Sequence, residues 1–515
     1  MRQLVVLLMV GCGGGNPEDT GGETPPGNAG DLDGDGSPDA EDCDDENPLV
    51  RPGIPEACDG LDTDCDAGTG ESGTATVNGT TSSDLQSVLD AAGPGDQVAV
   101  CGGVYPGPLT LPEGVTLRGL EGSAATIVEG VSSGAAIVMA SGEIGGIGIT
   151  GGLRGLVIAD DATALLTDVV ITACDAGSDD GGGMLIGTGA EVTLDRGTVS
   201  GNSAARGAGI ALGDGATLLL VDSFVDANTA SDLGGGVLVS PGATLEGGGV
   251  RSNLAARGAG LGLLGDATLQ NILVSANNAS EFGGGIYANE GGSVVMTNVL
   301  VSGNFAEPAK KTGTGEPFTT EGGGVYANGT ALVFDEYTTV TLNAAIVGGG
   351  VSLHDGASLS GGGVGANLAV LVGGGVAVDS AGAPVSIQGT LISSNAAPGS
   401  GGLHVVAGDV TGTDVVISMN SGEFAGGGFG LMPGTTLTLT GGELTMNDAL
   451  GVGGVGGGGI LLGSGGSASE LDCTDVLFGS DADKNSNRPD DLFVGSSINR
   501  DGLTTLRCVA GSGCN

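Results

Sequence analysis

The chain has 515 residues, 109 of them glycine, with 61 acidic side chains against 14 basic ones and a formal net charge of −47. That balance excludes nucleic acid and anionic membrane surfaces as partners and leaves divalent cations and a salty or calcium-containing medium open. Nine phenylalanines, four tyrosines and no tryptophan leave little material for a sugar-stacking platform.

The chain opens with Arg2 and an apolar run from Leu4 to Val10, too short to cross a membrane as a helix. Met9-Val-Gly-Cys12 resembles a bacterial lipobox, with Met9 where Leu is usual. The resemblance implies that residues 1–11 are a lipoprotein signal peptide and that Cys12 is acylated. Gly13 after the Cys, rather than Asp, then points to a lipid anchor in the outer membrane; an ordinary secretory signal is the alternative. Residues 12–30, rich in Gly, Pro and Glu, read as a flexible tether.

Residues 31–72 form an acidic module with the strongest chemical signal in the chain. Asp31, Asp33, Asp35, Ser37, Asp39 and Asp42 stand at positions 1, 3, 5, 7, 9 and 12 of a loop with Gly36 at position 6. This is the plan of a calcium loop, because a hard cation of that size takes six to eight oxygens and the Gly permits the sharp turn between them. Asp42 replaces the usual bidentate Glu. A weaker second Ca2+ site is Asp59, Asp62, Asp64 and Asp66, with Ala67 where a Gly would help. From Asp42-Cys-Asp-Asp45 through Cys58-Asp-Gly60 to Asp66 the segment resembles a metal-binding motif found on many bacterial surface proteins. Fourteen acids and one base, Arg51, lie between residues 31 and 66; without a cation their repulsion opposes compaction, and an acidic linker is the bland alternative. Asp481-Ala-Asp483-Lys-Asn485-Ser-Asn487 lacks the turn Gly and reads as a polar loop.

Eight cysteines remain after Cys12. Local disulfides are expected among Cys43, Cys58 and Cys65 and among Cys473, Cys508 and Cys514, with Cys101 and Cys174 left open.

Ser82 to Ala92 reads as a short amphipathic helix with a capping residue, leading into the turn Gly93-Pro-Gly-Asp96 and the strand Val98-Ala-Val100. The helix would cover the open end of a long repeat array. Each repeat is an aliphatic residue, two positions, then Asn-x-Ala, with Gly422 in place of the Ala in one, and a glycine cluster. The asparagines are Asn202, Asn228, Asn253, Asn277, Asn304, Asn343, Asn367, Asn395, Asn420 and Asn447. Such a period means a solenoid. Three short alternating runs per repeat, such as Gly234 to Val239, Ala243 to Leu245 and Val250, predict one β-helix coil. The predicted fold is all-β: a right-handed single-stranded parallel β-helix over residues 82–470, of about fifteen coils and some 70 Å at the strand spacing, with 471–515 as a cysteine-containing cap. Asn is expected to take the left-handed turn conformation and to stack as a hydrogen-bonded ladder. Cys174 occupies an eleventh, upstream Asn slot and reads as a buried, inert substitute. Arg206, Asp232, Arg257 and Glu281, each four residues after an Asn, alternate in charge and are expected to pair across coils.

The helix, Gly-Asp turn and Val-x-Val strand resemble the start of pectin-lyase-like β-helices. The Asn-x-Ala and Gly-Gly-aliphatic pattern is similar to the repeats of polymorphic outer-membrane proteins, with Val, Ile or Leu for their usual Phe. The resemblance covers roughly residues 82 to 470 and speaks for architecture, not activity.

No catalytic residues are assigned. Asp160-Asp161 with Arg154 nearby reads as a solvated turn. His354 and His404 lie three and one residues after the post-glycine aliphatic and do not share a column. An insertion, Glu307 to Glu321, carries two of the three lysines and reads as a partner-binding or merely tolerated surface loop. The expected function is a cell-surface lipoprotein acting as a calcium-stabilised scaffold or adhesin, lipid-anchored or secreted, with a surface protein or polysaccharide as partner. The alternative is a polysaccharide-binding or polysaccharide-degrading lyase or hydrolase. It would need a groove lined by acids and a base on one face of adjacent coils.

Overall fold

The structure, a computed structural model, describes residues 30–53, 63–65, 73–289, 291–307, 320–423, 426–449, 460–462, 470–478, 492–494 and 506–509. The chain divides into two units, Met1–Glu56 with Leu61–Gly70, and Ala57–Gly60 with Glu71–Asn515.

The second unit is a right-handed parallel β-solenoid built from sheets of 31, 15 and 10 strands. One coil runs from Ile210–Leu212 through Thr217–Asp226 and Thr229–Leu233 to Val237–Val239, where the next begins. Strands at equivalent places pair in parallel. The column Ile210, Val237, Leu261, Ile286, Val325, Val351, Val376, Leu403 and Phe429 is in register. All nine point into the core. Burying each aliphatic is worth about 1.5–3 kcal/mol, and stacking like on like leaves no step at which the core changes width.

A strand beyond each Asn has no counterpart in the sequence pattern. Ser203–Arg206, Thr229–Leu233, Leu254–Arg257 and Asn278–Phe282 belong to the 10-stranded sheet. Each packs one Ala into a small cluster of its own, Ala204, Ala230, Ala255 and Ala279, and Thr229–Leu233 also buries Leu233 in a second cluster. A lone small residue gives no aliphatic alternation to read. Conversely, the runs at Ala243 and Val250 are one strand, Ala243–Arg251.

The asparagines form the expected ladder, with a correction to its backbone. The side-chain Nδ2 of Asn202 donates to Oδ1 of Asn228 at 3.0 Å, and each Asn repeats this to the next as far as Asn447. The same Oδ1 also accepts the preceding Asn's backbone N–H. The left-handed residue is not the Asn but the one before it: Ala227, Ser252, Ala276, Leu342, Ala366, Ser394, Met419 and Met446 have φ between 54° and 59°. The insertion leaves the ladder unbroken, since Asn304 reaches Asn343 at 3.0 Å. Cys174 takes its slot by donating its backbone N–H to Asn202 Oδ1 at 3.0 Å, and burial pushes its thiol up to about 12.

At the N-terminal end Ala75–Val77 pairs antiparallel with Thr80–Ser82 and with Val100. The helix is Leu85–Ala91 and buries Leu85, Val88 and Leu89. Its N-cap, Asp84, makes no side-chain capping bond; Ser82 Oγ instead accepts the Asp84 N–H at 3.0 Å.

Candidate metal centre

The first unit is built by its carboxylates. Asp31 accepts the backbone N–H of Gly34 at 2.8 Å and of Gly36 at 3.3 Å. Asp33 accepts that of Asp35, and Asp35 that of Ser37, at 3.2 and 2.8 Å. Gly34 and Gly36 supply the left-handed turns, at φ 79° and 98°. Asp31 thereby uses both oxygens on the chain, whereas Asp33 and Asp35 each fold one oxygen back and bury the other. Carboxylate oxygens of Asp31, Asp33 and Asp35 all lie within 4.8 Å of one another.

Three inward oxygens are buried and accept no hydrogen bond: Asp33 Oδ2, Asp35 Oδ2 and Asp45 Oδ1. The Asp35 side chain is only 2% exposed. Desolvation pushes the Asp33 and Asp45 carboxyls above the ordinary carboxylate range, and neighbouring acids add to it: Asp35, Asp42 and Asp31 at Asp33, and Asp39, Asp42, Asp33 and Asp44 at Asp45. Buried carboxylate oxygens without donors are costly, and a cation is what such oxygens fit.

The remaining predicted ligands are distributed. Asp39 Oδ1 accepts the Leu32 N–H at 3.0 Å. Asp42 accepts the Asp44 N–H at 2.9 Å and lies with Cys43 and Cys65 in a second cluster whose atoms are within 4.8 Å. Those cysteines form a disulfide, so neither offers a thiolate. Ser37 is buried and enters the loop through its backbone N–H. Asp64 is half-buried; Asp59, Asp62, Asp66 and Cys12 lie outside the described residues. Asp45 stands beyond the last position of the loop pattern, so spacing gives no signal for it. Arg51 reads in sequence as a lone base among acids, yet its Nη1 donates to the Asp35 carbonyl and its Nε sits 4.0 Å from Asp35 Oδ2.

A family model described as "Putative metal-binding motif" matches residues 42–71. Two solved structures from Azotobacter vinelandii are similar to this chain, the A-modules of the mannuronan C-5 epimerases AlgE4 and AlgE6. They are 16% and 14% identical, cover 76% and 77% of this chain and 90% and 94% of their own, and give TM-scores of 0.24 and 0.21. No curated protein matches the sequence. The chain carries a metal-binding motif as well as a β-solenoid, and the motif's acids could hold an ion.

On the solenoid, Asp160 and Asp161 stand in an exposed turn, as expected, and Arg154 is engaged elsewhere. Arg154 bonds Asp179 at 3.2 Å and the Asp180 carbonyl at 3.0 Å, while Asp160 accepts the Thr188 N–H at 2.8 Å. The charge column holds in part and in one sense: Arg206 forks onto Asp180, and Arg257 pairs with Asp232, each reaching to the coil before. Cys473 is a free buried thiol rather than one of a local pair, and Cys101 is disulfide-bonded.

One further cluster is brought together by the fold. Arg257 lies over the Tyr287 ring at 5.4 Å, Tyr287 stacks on Tyr326 at 5.2 Å, and Tyr326 on His354 at 4.6 Å. His354 Nε2 meets Glu321 Oε2 at 2.7 Å and Ser352 Oγ at 3.0 Å. A signal for it exists in the repeat, since both tyrosines directly follow a Gly-Gly-Gly-aliphatic run. Burial and the surrounding acids, Glu321 foremost, push the Tyr326 hydroxyl up.

Proposed function

We propose that the protein is a cell-surface scaffold or adhesin: a β-helix joined to a calcium-binding module and held in the bacterial outer membrane by lipid on Cys12. The observation that carries the calcium reading is the pair of buried, donor-free oxygens on Asp33 and Asp35 beside Asp31. All three are hard oxygen ligands, which suit calcium. Copper favours imidazole and thiolate; the two histidines lie at 354 and 404, outside the module, and among the described residues of the module both cysteines, Cys43 and Cys65, are oxidised. A solenoid whose coils repeat one outer geometry suits display of a surface to a protein or polysaccharide partner.

The test is cation uptake by the full chain carrying Cys12→Ser, titrated with calcium, magnesium and copper(II). Saturable calcium uptake that is lost in Asp33→Ala plus Asp35→Ala is expected; no uptake, or uptake unchanged in the double variant, refutes the calcium reading. Incorporation of labelled palmitate that vanishes with Cys12→Ser tests the anchor.

A second reading, polysaccharide binding or cleavage, is favoured by the Arg257, Tyr287, Tyr326, His354 and Glu321 row, which joins an acid, a base and aromatics on adjacent coils. Against it, both tyrosines are less than a tenth exposed, so their faces serve one another. Release of reducing or unsaturated ends from a polysaccharide panel, with calcium and with chelator, would favour this second reading over the scaffold.

A further inference from the structure

The disulfide and the acid loop share a network. Cys43–Cys65 closes a 22-residue separation, and an Asp42 carboxylate oxygen lies within 4.8 Å of both sulfurs. Cys43 N–H also points at Cys65 Sγ, 3.1 Å away. From the other side, the Arg51 N–H donates to the Thr63 carbonyl at 2.8 Å, two residues before Cys65, and the Arg51 guanidinium donates to the Asp35 carbonyl. The stretch 63–65 is thus held at Cys65 by the disulfide and at Thr63 by Arg51, and Arg51 in turn leans on Asp35, whose Oδ2 is buried without a donor. Cys65 has a φ of 60°, a left-handed conformation in which the Cβ of a non-glycine residue is crowded by its own carbonyl. The disulfide holds that conformation, so breaking it gives the chain there reason to relax and removes one of the ties that keep Thr63 against Arg51.

We propose that the Cys43–Cys65 disulfide positions the cation site, so that calcium binding and the oxidation state of this pair are thermodynamically linked. The inference rests on the calcium reading above. Reduction takes two electrons and two protons from a dithiol, which is itself oxidised to a disulfide, and leaves Cys43 and Cys65 as thiols. The freed 63–65 stretch lets Arg51 and with it Asp35 move, and Asp42 loses its fixed neighbours. Three carboxylates then have to be gathered from a looser chain, so the ion binds more weakly. Linkage is reciprocal: the factor by which reduction weakens calcium is the factor by which calcium disfavours reduction.

The experiment uses the full chain with Cys12→Ser. Calcium affinity is measured by calorimetry on the oxidised protein and on Cys43→Ser plus Cys65→Ser. In parallel, the equilibrium reduction of Cys43–Cys65 by dithiothreitol is followed by alkylation and mass spectrometry, with saturating calcium and with chelator. The expected result is an affinity loss of about tenfold or more in the double variant, and calcium protection of the disulfide by a matching factor that disappears in Asp33→Ala plus Asp35→Ala. The second arm uses the native cysteines, so a misfolded Ser variant does not decide the outcome. Equal reduction with and without calcium, in a protein that binds calcium when oxidised, overturns the linkage alone. Absence of calcium binding to the oxidised protein overturns the calcium reading and the linkage together.

Discussion

A left-handed Leu342 or Met419 is the cost at which each Asn side chain reaches its neighbour. About 1–2 kcal/mol of strain per residue is offset by the three hydrogen bonds of each Asn unit, made without solvent. Asn277→Ala removes the Oδ1 that accepts both the backbone N–H and the Nδ2 of Asn253, and the Nδ2 that serves Val250 and Asn304. Leaving those groups buried and unpaired is expected to destabilise by about 3 kcal/mol or more, read as a shift in the denaturant midpoint. The Asn period is legible in the sequence because a side chain carries it. The left-handed position is not, because Ala, Ser, Leu and Met share there a dihedral and no chemistry. His404 gives the second prediction at this scale. Burial lowers it to about 4 from 6.5, and its Nδ1 contacts Ser400 Oγ at 2.9 Å. Unfolding therefore binds a proton between pH 4 and 6.5, so stability is intact above that window and falls as pH drops through it, by up to about 3 kcal/mol. His404→Gln should flatten that part of the stability-against-pH curve relative to wild type; identical slopes would mean His404 is free to charge in place.

At the scale of strands and turns, the glycine clusters separate two reasons for glycine. Gly303 has φ 65° and open space around a would-be Cβ, and the equivalent turns already hold Ala227 and Ala276. Gly303→Ala is expected to cost only that left-handed strain, about 1–2 kcal/mol. A Cβ on Gly284 would instead collide with the carbonyls of Phe305 and Gly323 on the next coil. Gly284→Ala should cost about 2 kcal/mol or more, and thermal melting of the two variants side by side distinguishes the cases. The Gly-Gly-aliphatic pattern announces a turn but not that its middle glycine is a contact between coils. The tyrosine and histidine cluster is hidden for a related reason: Tyr287, Tyr326 and His354 come from three coils, and only the register makes them neighbours. Asp45 and Arg51 likewise enter the acid loop through folding of the segment rather than through loop position, whereas Asp31, Asp33 and Asp35 are legible from spacing alone.

Across the whole molecule, the two units draw on different sources of stability. The solenoid rests on stacked aliphatics and the Asn ladder, neither of which responds to divalent ions. In the acidic unit, Asp33 and Asp45 are raised above their ordinary range, so the ion-free unit loses stability as pH rises through the carboxylate range, where those groups must charge. On the calcium reading, the ion supplies the missing counter-charge at neutral pH. Calorimetry near pH 7 should then show the solenoid transition unmoved by chelator and a separate transition that rises with calcium concentration; a solenoid transition that tracks calcium would place the ion's role elsewhere. The Asn row has a further consequence. Every side-chain amide hands its proton the same way along the axis, so the row has a direction, and a coil turned end for end would set donor against donor. A duplicated stretch from one Asn to the next, by contrast, arrives with one donor to give and one acceptor to offer. The solenoid can lengthen or shorten in whole coils without leaving either group unmatched, and its reach is free to vary while its cross-section stays the same.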